Sequence, residues 1–494
     1  MENPEHKMIF EFEGTRNLNI DPVIVPNLNG DKYDYFVDGV HYSSINTSFR
    51  LKLNGSTGTD YRQYSMIGYG VNPFSSVADN AATSTLCALM DVSSSEVGVF
   101  RALISGDSSD ERYIDSLYGG SSAAFSGVTE VNKGSQYYKD SVVPIQSMLF
   151  QTTTSADSDL TLRIYQIPKT VNLENYELIS EYDSSGLVGG NMVFSGLNGD
   201  QDEEYLLVGT GIGSPRQVAI NGDFTTLRTV QRLLNSNGTI ASANNQLALD
   251  GYLNEGAMRI FAKSGQERLT LTSMGHIAQY QQQENAGWYG DEISNVESIV
   301  VASALNIECK VSLYRRHSNK TIDPVPMVTV AEIIVDNEDI SAGYTISGIN
   351  GDSIDGTIKV EMDGDGANGG VFTVVINNNS SSVYERQNLD ATSSIVSATP
   401  STRSNLIFGV DNNTTSVATM YIYPKSGQDR PVLSTIWSSY NQLQFNYQVY
   451  GEEVTEISEL LVSAGSSNPF TGRIRISVPK ISQATCGEFT VTKN

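Results

Sequence analysis

Alternation with a period of two runs through this chain. In Phe49-Arg50-Leu51-Lys52-Leu53-Asn54 the apolar residues face one way and the basic residues the other, the spacing of a half-buried strand. Runs of the same kind, also ending in Asn, return as Gln217-Val218-Ala219-Ile220-Asn221 and Phe372-Thr373-Val374-Val375-Ile376-Asn377. Gly55, Gly222 or Asn378 follows, which predicts a hairpin-type turn after each run. Other strand-like runs open each third of the chain (8–12, 177–182, 328–334) and close it (160–165, 309–314, 473–478). An aliphatic run precedes each closing strand, at 145–150, 296–301 and 457–462. No segment holds a capped helical period. The nearest is 228–234, where one or two helical turns would not change the fold class.

Two polar motifs recur in register with these strands. Leu28-Asn29-Gly30-Asp31, Leu197-Asn198-Gly199-Asp200 and Ile349-Asn350-Gly351-Asp352 each follow an opening strand. Asn-Gly readily takes two positive φ values, so a tight reversal is expected there, with the Asp accepting hydrogen bonds from the turn's own amides. On that reading Gly199→Val destabilises the middle third. The second motif is a basic turn, Lys263-Ser264-Gly265-Gln266-Glu267-Arg268, repeated as Lys425-Ser426-Gly427-Gln428-Asp429-Arg430. In the first third it is reduced to Ser105-Gly106, with Arg112 after a short insertion. From the turn Gly to the closing strand the last two copies span 46 and 47 residues (265 to 311, 427 to 474), so they form the closer pair. Repetition in fixed order predicts three tandem antiparallel β-sandwiches, jelly-roll-like and of about eight strands each. Their bounds are 1–172 (with extra loop material around 70–95 and 107–140), 173–325 and 326–494, joined by short Pro-containing links as a semi-rigid rod.

Composition narrows the function classes. The 494 residues carry 56 acidic against 31 basic side chains, a formal charge of −25, which argues against binding nucleic acid. There is no apolar run long enough for a membrane-spanning helix, and the first residues lack the apolar stretch of a secretory signal. Cys87, Cys309 and Cys486 lie far apart, without a disulfide or zinc pattern. Cys309 alternates with Val311 and Leu313 as a core residue would.

Candidate chemistry is sparse. None of His6, His41, His276 and His317 holds an equivalent place in two repeats, and no nucleophile elbow or phosphate-binding Lys loop is present. Asp200, Asp202, Glu203 and Glu204 cluster, as paired glycosidase carboxylates would, but an active site is seldom triplicated with its scaffold. Asp363-Gly364-Asp365-Gly366 reads as a hairpin loop short of calcium ligands. Trp288 and Trp437 read as core. No catalytic residue, metal or cofactor is expected. The candidate interaction surface comprises Asp202, Glu203, Glu204, Lys263, Arg268, Lys425 and Arg430, where the acidic run and the basic turns would meet a neighbour; because the basic turn recurs with the scaffold, the reading in which Ser-Gly makes the turn and Lys and Arg offset an acidic module is preferred for it.

The order of signals resembles the repeated β-sandwich modules of tailed-bacteriophage virion proteins. Leu197-Asn198-Gly199-Asp200 with its acidic run, Lys263-Ser264-Gly265, and Leu313-Tyr314-Arg315 carry the resemblance most fully. The last third departs from it with Ser353-Ile354-Asp355-Gly356 in place of the acidic run, and the first lacks the Lys-Ser-Gly turn. The resemblance implies a non-enzymatic virion component, assembled in the host cytoplasm: a tail-fibre, collar or capsid appendage. Its expected partners are other virion proteins and further copies of itself. A host-surface glycan is the alternative partner, and a glycan depolymerase the remaining reading.

Overall fold

A computed structural model shows an all-β chain built of antiparallel sheets. It describes residues 7–56, 61–69, 72–78, 87–92, 96–104, 106, 112–122, 128–138, 143–168, 176–183, 191–202, 204–210, 216–223, 230–234, 240–241, 247–249, 255–264, 268–276, 281–289, 293–303, 310–316, 325–366, 371–380, 384–392, 395–410, 414–427, 429–438, 442–451, 455–465 and 469–494. Cys309 and Glu203 lie outside these residues.

Among the described residues the first unit has twelve strands: β1 (Lys7–Asn17), β2 (Val23–Val25), β3 (Tyr33–Ser43), β4 (Thr47–Leu53), β5 (Tyr61–Tyr69), β6 (Asn72–Ala78), β7 (Cys87–Val92), β8 (Glu96–Ile104), β9 (Arg112–Ser122), β10 (Val128–Tyr138), β11 (Met148–Thr152) and β12 (Asp157–Pro168). β1 pairs with β12, β2 with β11, β3 with β8 and β4 with β7. That nesting of first with last is the rolled ribbon of a jelly roll. The expected eight strands are therefore present, with two further hairpins, of which β9–β10 falls in the stretch 107–140 where loop material was expected in the first third. The hairpins β5–β6 and β9–β10 extend the larger sheet to the order β1-β12-β3-β8-β9-β10-β5-β6, opposite β2-β11-β4-β7. The same order recurs in the strands between Tyr176 and Arg316 and again between Met327 and Pro479. The first set of strands ends at Pro168 and the second begins at Tyr176; the second ends at Arg316 and the third begins at Met327. The segment nearest a helical pattern supplies a strand instead, Val230–Leu234.

Each sandwich fills with the inward residues of its alternating strands. Phe49, Leu51 and Leu53 of β4 are fully buried and pack with Phe150 and Leu162. One device fixes the end of every sandwich. Asn54, Asn221 and Asn377 close their strands at φ 51°, 53° and 51°, each followed by a second positive φ at Gly55, Gly222 or Asn378, the predicted hairpin turn. The Asn side chain then brackets the aliphatic run. Asn221 Nδ2 donates to the Asn295 carbonyl (2.7 Å), and its Oδ1 accepts from the Glu297 and Ser298 amides (2.8 and 3.1 Å). Asn54 does the same with Pro144, Gln146 and Ser147, and Asn377 with Glu456, Ser458 and Glu459. The residue held between, Ile145, Val296 or Ile457, has no exposed surface.

The units do not form a rod. β10 and its counterparts Gln281–Tyr289 and Gln442–Tyr450 each contact the other two, so equivalent strands meet along a common axis. Leu443, Phe445, Tyr447 and Val449 of the last unit share a core with Val40, Val97, Val99 and Val131 of the first. Tyr447 donates to the Val97 carbonyl (2.8 Å), and its ring lies where a Cβ on Gly119 would stand. Tyr423 donates to the buried Asp38 (2.7 Å), which faces Arg101 at 3.4 Å, and that guanidinium stacks on Tyr421. Even the link into the last unit is pinned, since Val325 and Met327 pack on Phe36, Tyr165 and Met8 of the first. The chain exposes 18,561 Å². A single compact body of this mass should expose about 18,000 Å² and three separate modules about 24,000 Å² in total, so the units bury surface on one another.

Small-angle scattering tests this arrangement. A compact chain of this length should give a radius of gyration of about 23 Å, and a rod of three modules well above about 30 Å.

Candidate functional site

The two polar motifs meet in space, but in a different way from the one their sequence suggests. Asn198, Gly199 and Asp200 do not form a two-residue reversal. The positive φ lies earlier, at Asn27 (61°), Gly196 (75°) and Gly348 (82°). Asn198 instead caps a single helical turn, Gly199–Asp202, its Oδ1 accepting from the Gln201 amide (3.3 Å). The glycine is needed for room rather than for φ. A Cβ on Gly199 would stand 2.7 Å from the Ala262 carbonyl and 2.8 Å from Val296 Cβ, and one on Gly30 only 2.4 Å from the Gly106 carbonyl.

Asp200 does accept a backbone hydrogen bond, from the other motif rather than from its own turn. The Ser264 amide donates to Asp200 Oδ1 at 2.7 Å, and the Ser426 amide donates to Asp352 Oδ1 at 2.6 Å. Hydrogen bonds from Ser264 hold the Asp200 carboxyl below the usual range. At Asp352 burial pushes upward, but the bonds from Ser426 outweigh it and the net shift is down. The first unit keeps the contact with different residues, the Gly106 amide donating to Asp34 (2.9 Å).

Behind this contact lies the arginine of the basic turn. Arg268 and Arg430 have no exposed surface, which removes both from the expected interaction surface. Arg430 Nε donates to the Pro424 carbonyl (3.2 Å) and an Nη to the Thr455 carbonyl (2.5 Å). Arg268 makes the matching bonds to Ala262 and Ser294. Each arginine thus ties its own turn to the segment leading into the aliphatic run. Strand register makes Arg112, Arg268 and Arg430 equivalent, opposite Tyr138, Tyr289 and Tyr450.

Asp202 and Glu204 of the acidic run are likewise engaged within their own unit. Glu204 is buried and accepts from Arg259 Nε at 2.8 Å. Asp202 accepts from the Tyr205 hydroxyl at 2.7 Å, and that hydroxyl accepts in turn from the Asn198 amide at 3.1 Å. Burial, with Asp202 alongside, raises the Tyr205 pKa far above its ordinary value. Asp363, expected in a loop, lies within the strand Ile358–Gly366 and binds Arg473 through both oxygens (3.2 and 2.8 Å). Among the described residues no three His, Cys, Asp or Glu side chains are grouped as a metal site would need.

Of the seven candidates, Lys263 is exposed beside Asp200, and Lys425 reaches another unit. Lys425 Nζ lies 3.3 Å from Asp355 and 3.4 Å from Glu13 of the first unit. It borders a pocket of about 270 Å³ between the two units, lined also by Thr15, Asp159, Thr161 and Ser426. The neighbour that the basic turn was expected to meet is, for Lys425, the first unit of the same chain. Trp437 is half-buried against the shared core and sits on a different strand from Trp288, so the two are not equivalent.

His41 stands apart from all of this. It is fully buried, stacked on Phe49 with ring centroids 5.1 Å apart, and neither ring nitrogen has a partner among the described residues. Desolvation pushes its pKa down to about 3. It is a core residue.

No protein-family model matches this sequence, and no curated protein does. Among solved structures, a two-domain fragment of Extended-Synaptotagmin 2 aligns with 60% of this chain and 94% of its own at 11% identity, with a TM-score of 0.13. Pseudomonas aeruginosa OccK7 aligns over 88% of this chain and 98% of its own (9% identity, TM-score 0.10). Neisseria meningitidis transferrin binding protein B aligns over 80% and 77% (7% identity, TM-score 0.09). At these scores the alignments carry no argument.

The geometry sets two expectations for stability. Gly199→Val and Arg430→Ala each destabilise their own unit, the arginine variant by about 2 kcal/mol because the buried Pro424 carbonyl loses its donor and the turn loses its tie to Thr455. Urea denaturation with a fluorescence readout measures both. For His41, the unfolded chain binds the proton more tightly between pH 6.5 and about 3, so the stability it permits is full above 6.5 and falls as the pH drops through that window. His41→Leu should flatten the dependence of Tm on pH there.

Proposed function

We propose that this chain is a non-enzymatic structural component of a tailed-bacteriophage virion, an appendage of capsid, collar or tail that docks on neighbouring virion proteins. The observation that carries the reading is one jelly roll repeated three times in one chain and packed about a shared set of strands. Jelly rolls of this kind recur in viral capsid and lectin domains. The polar motifs that first suggested chemistry are committed to the scaffold. Asp200 holds a turn, Arg268 and Arg430 tie loops, and Glu204 is paired in the interior. Such a body offers rigid, repeated surfaces to neighbours. A formal charge of −25 keeps free copies apart before assembly and disfavours nucleic acid as a partner.

A second reading, attachment to a host-surface glycan, rests on the polar pocket beside Lys425. Its carboxylates, hydroxyls and ammonium suit sugar hydroxyls.

Mass spectrometry and electron microscopy of gradient-purified particles decide the first reading. The chain is expected there in several copies per particle, and its absence from particles overturns the proposal. A glycan array with the native protein and Lys425→Ala tests the second. Binding that the substitution abolishes would favour attachment, and host polysaccharide should keep its size on incubation with the protein.

A further inference from the structure

The pocket beside Lys425 has walls from two units, and its floor is particular to the first. On β1 and β12 the side chains of Phe12, Leu160 and Leu162 turn into the core of the first unit, so their neighbours face outward. Register sets Glu13 opposite Thr161 and Thr15 opposite Asp159, which makes a square of four polar side chains. Val40 of β3 stands beside Thr161. The last unit's turn Lys425-Ser426-Gly427 closes one side. Gly427, at φ 92°, is exposed, and nothing lies within 4 Å of its Cβ position, so the mouth stays open there.

The polar groups keep capacity for a ligand. Thr15 donates to Asp159 Oδ1, and Lys425 Nζ lies 3.4 Å from Glu13 Oε2. Among the described residues each carboxylate therefore keeps its second oxygen, and Glu13 is 57% exposed. Equivalent positions in the other units are filled differently. Ile164, Leu313 and Ile476 pair with Val37, Leu207 and Val360, and three residues before them stand Thr161, Lys310 and Arg473. Their partners on the neighbouring strand are Glu13, Asp183 and Ile334. Lys310 pairs with Glu181, and Arg473 with Asp363. The first unit has a hydroxyl in place of these cations, so its Glu13 is met by Lys425 of another unit.

We propose that this pocket takes an uncharged sugar residue at the end of a glycan chain, an inference that rests on the glycan-attachment reading. A hydroxyl both donates and accepts, so neighbouring sugar hydroxyls can donate to Glu13 and Asp159 while accepting from Lys425. An ammonium group only donates and a carboxylate only accepts, so neither serves the whole set. An acidic sugar would also meet three carboxylates, Glu13, Asp159 and Asp355, against one ammonium. Val40 and Leu160 offer the C–H face of the ring a short apolar patch. At about 270 Å³ the pocket lies at the small end of ligand sites, which suits a chain end better than an extended run of sugars. Because its walls come from the first and last units, the site exists only while they are docked.

Saturation-transfer NMR on the full-length protein tests it, with methyl glycosides of neutral hexoses and 6-deoxyhexoses set against methyl glucuronide and methyl N-acetylneuraminate. At least one neutral glycoside is expected to bind and the acidic ones are not. Asp159→Asn, which still accepts from Thr15, and Thr161→Val should each weaken that binding at least about tenfold with an unchanged Tm. Acidic glycosides that bind as tightly as neutral ones, or more tightly, overturn the proposal and leave glycan attachment standing. Neutral binding that both variants keep in full places the sugar elsewhere and overturns it too. If no glycoside of either class binds, the proposal fails, and the glycan reading fails with it where the array is also blank.

Discussion

The three asparagines that end the fourth strand of each jelly roll are the constraint on which the fold depends. Asn54, Asn221 and Asn377 each do two jobs that pull in one direction. The backbone turns left-handed, which Asn tolerates better than other residues with a side chain. The amide group then reaches both sides of Ile145, Val296 or Ile457 and satisfies main-chain groups that the strand's end would leave unpaired. Once that bracket is set, the aliphatic run is fixed relative to the sheet. The Gly30, Gly199 and Gly351 amides donate to the carbonyls of those bracketed residues, so the asparagine also positions the turn that holds Asp200 and Asp352.

Strands and their order were legible because each depends on neighbours in sequence. The alternation of β4, the Asn-Gly turn after it and the opening and closing strands all appear where the pattern puts them. Long-range partners were not legible. Asp200 looked self-contained, but the amide it binds lies 64 residues on, at Ser264. Charge misled in the same way. Arg268, Arg430 and Glu204 look like surface by composition, because such residues are seldom fully buried unless paired, and here each is paired. A signal was nevertheless present, since an arginine repeated at the same offset behind a Ser-Gly turn points to a role in the scaffold.

Contact between units was hidden for another reason. The strand Gln442–Tyr450 alternates Leu443, Phe445, Tyr447 and Val449 with Gln444, Asn446 and Gln448, which reads as a half-exposed strand. In the folded chain both faces are buried. The apolar face meets the first unit. The polar face is satisfied within the last unit, where Arg386 donates to Gln444 and Asn446, and Gln448 bonds to the backbone of Ile407. Hydrogen-bonded amides can line an interior as readily as a surface, so periodicity alone could not tell a rod from a cluster.

The two inserted hairpins explain why the units cluster. An eight-stranded jelly roll closes its own core, but β5–β6 and β9–β10 carry the larger sheet beyond the smaller one that covers it. The overhanging faces must be covered by something, and the overhangs of the other two units do so. Joining the three units in one chain lowers the association cost that separate subunits would meet. It also frees each unit to differ at equivalent positions, which identical subunits could not do. Ile24, Val193 and Thr345 occupy one position in three contexts, and among the described residues only the last is paired with an added strand of the chain itself. Divergence of that kind at an edge leaves the brackets and turns of the scaffold unchanged.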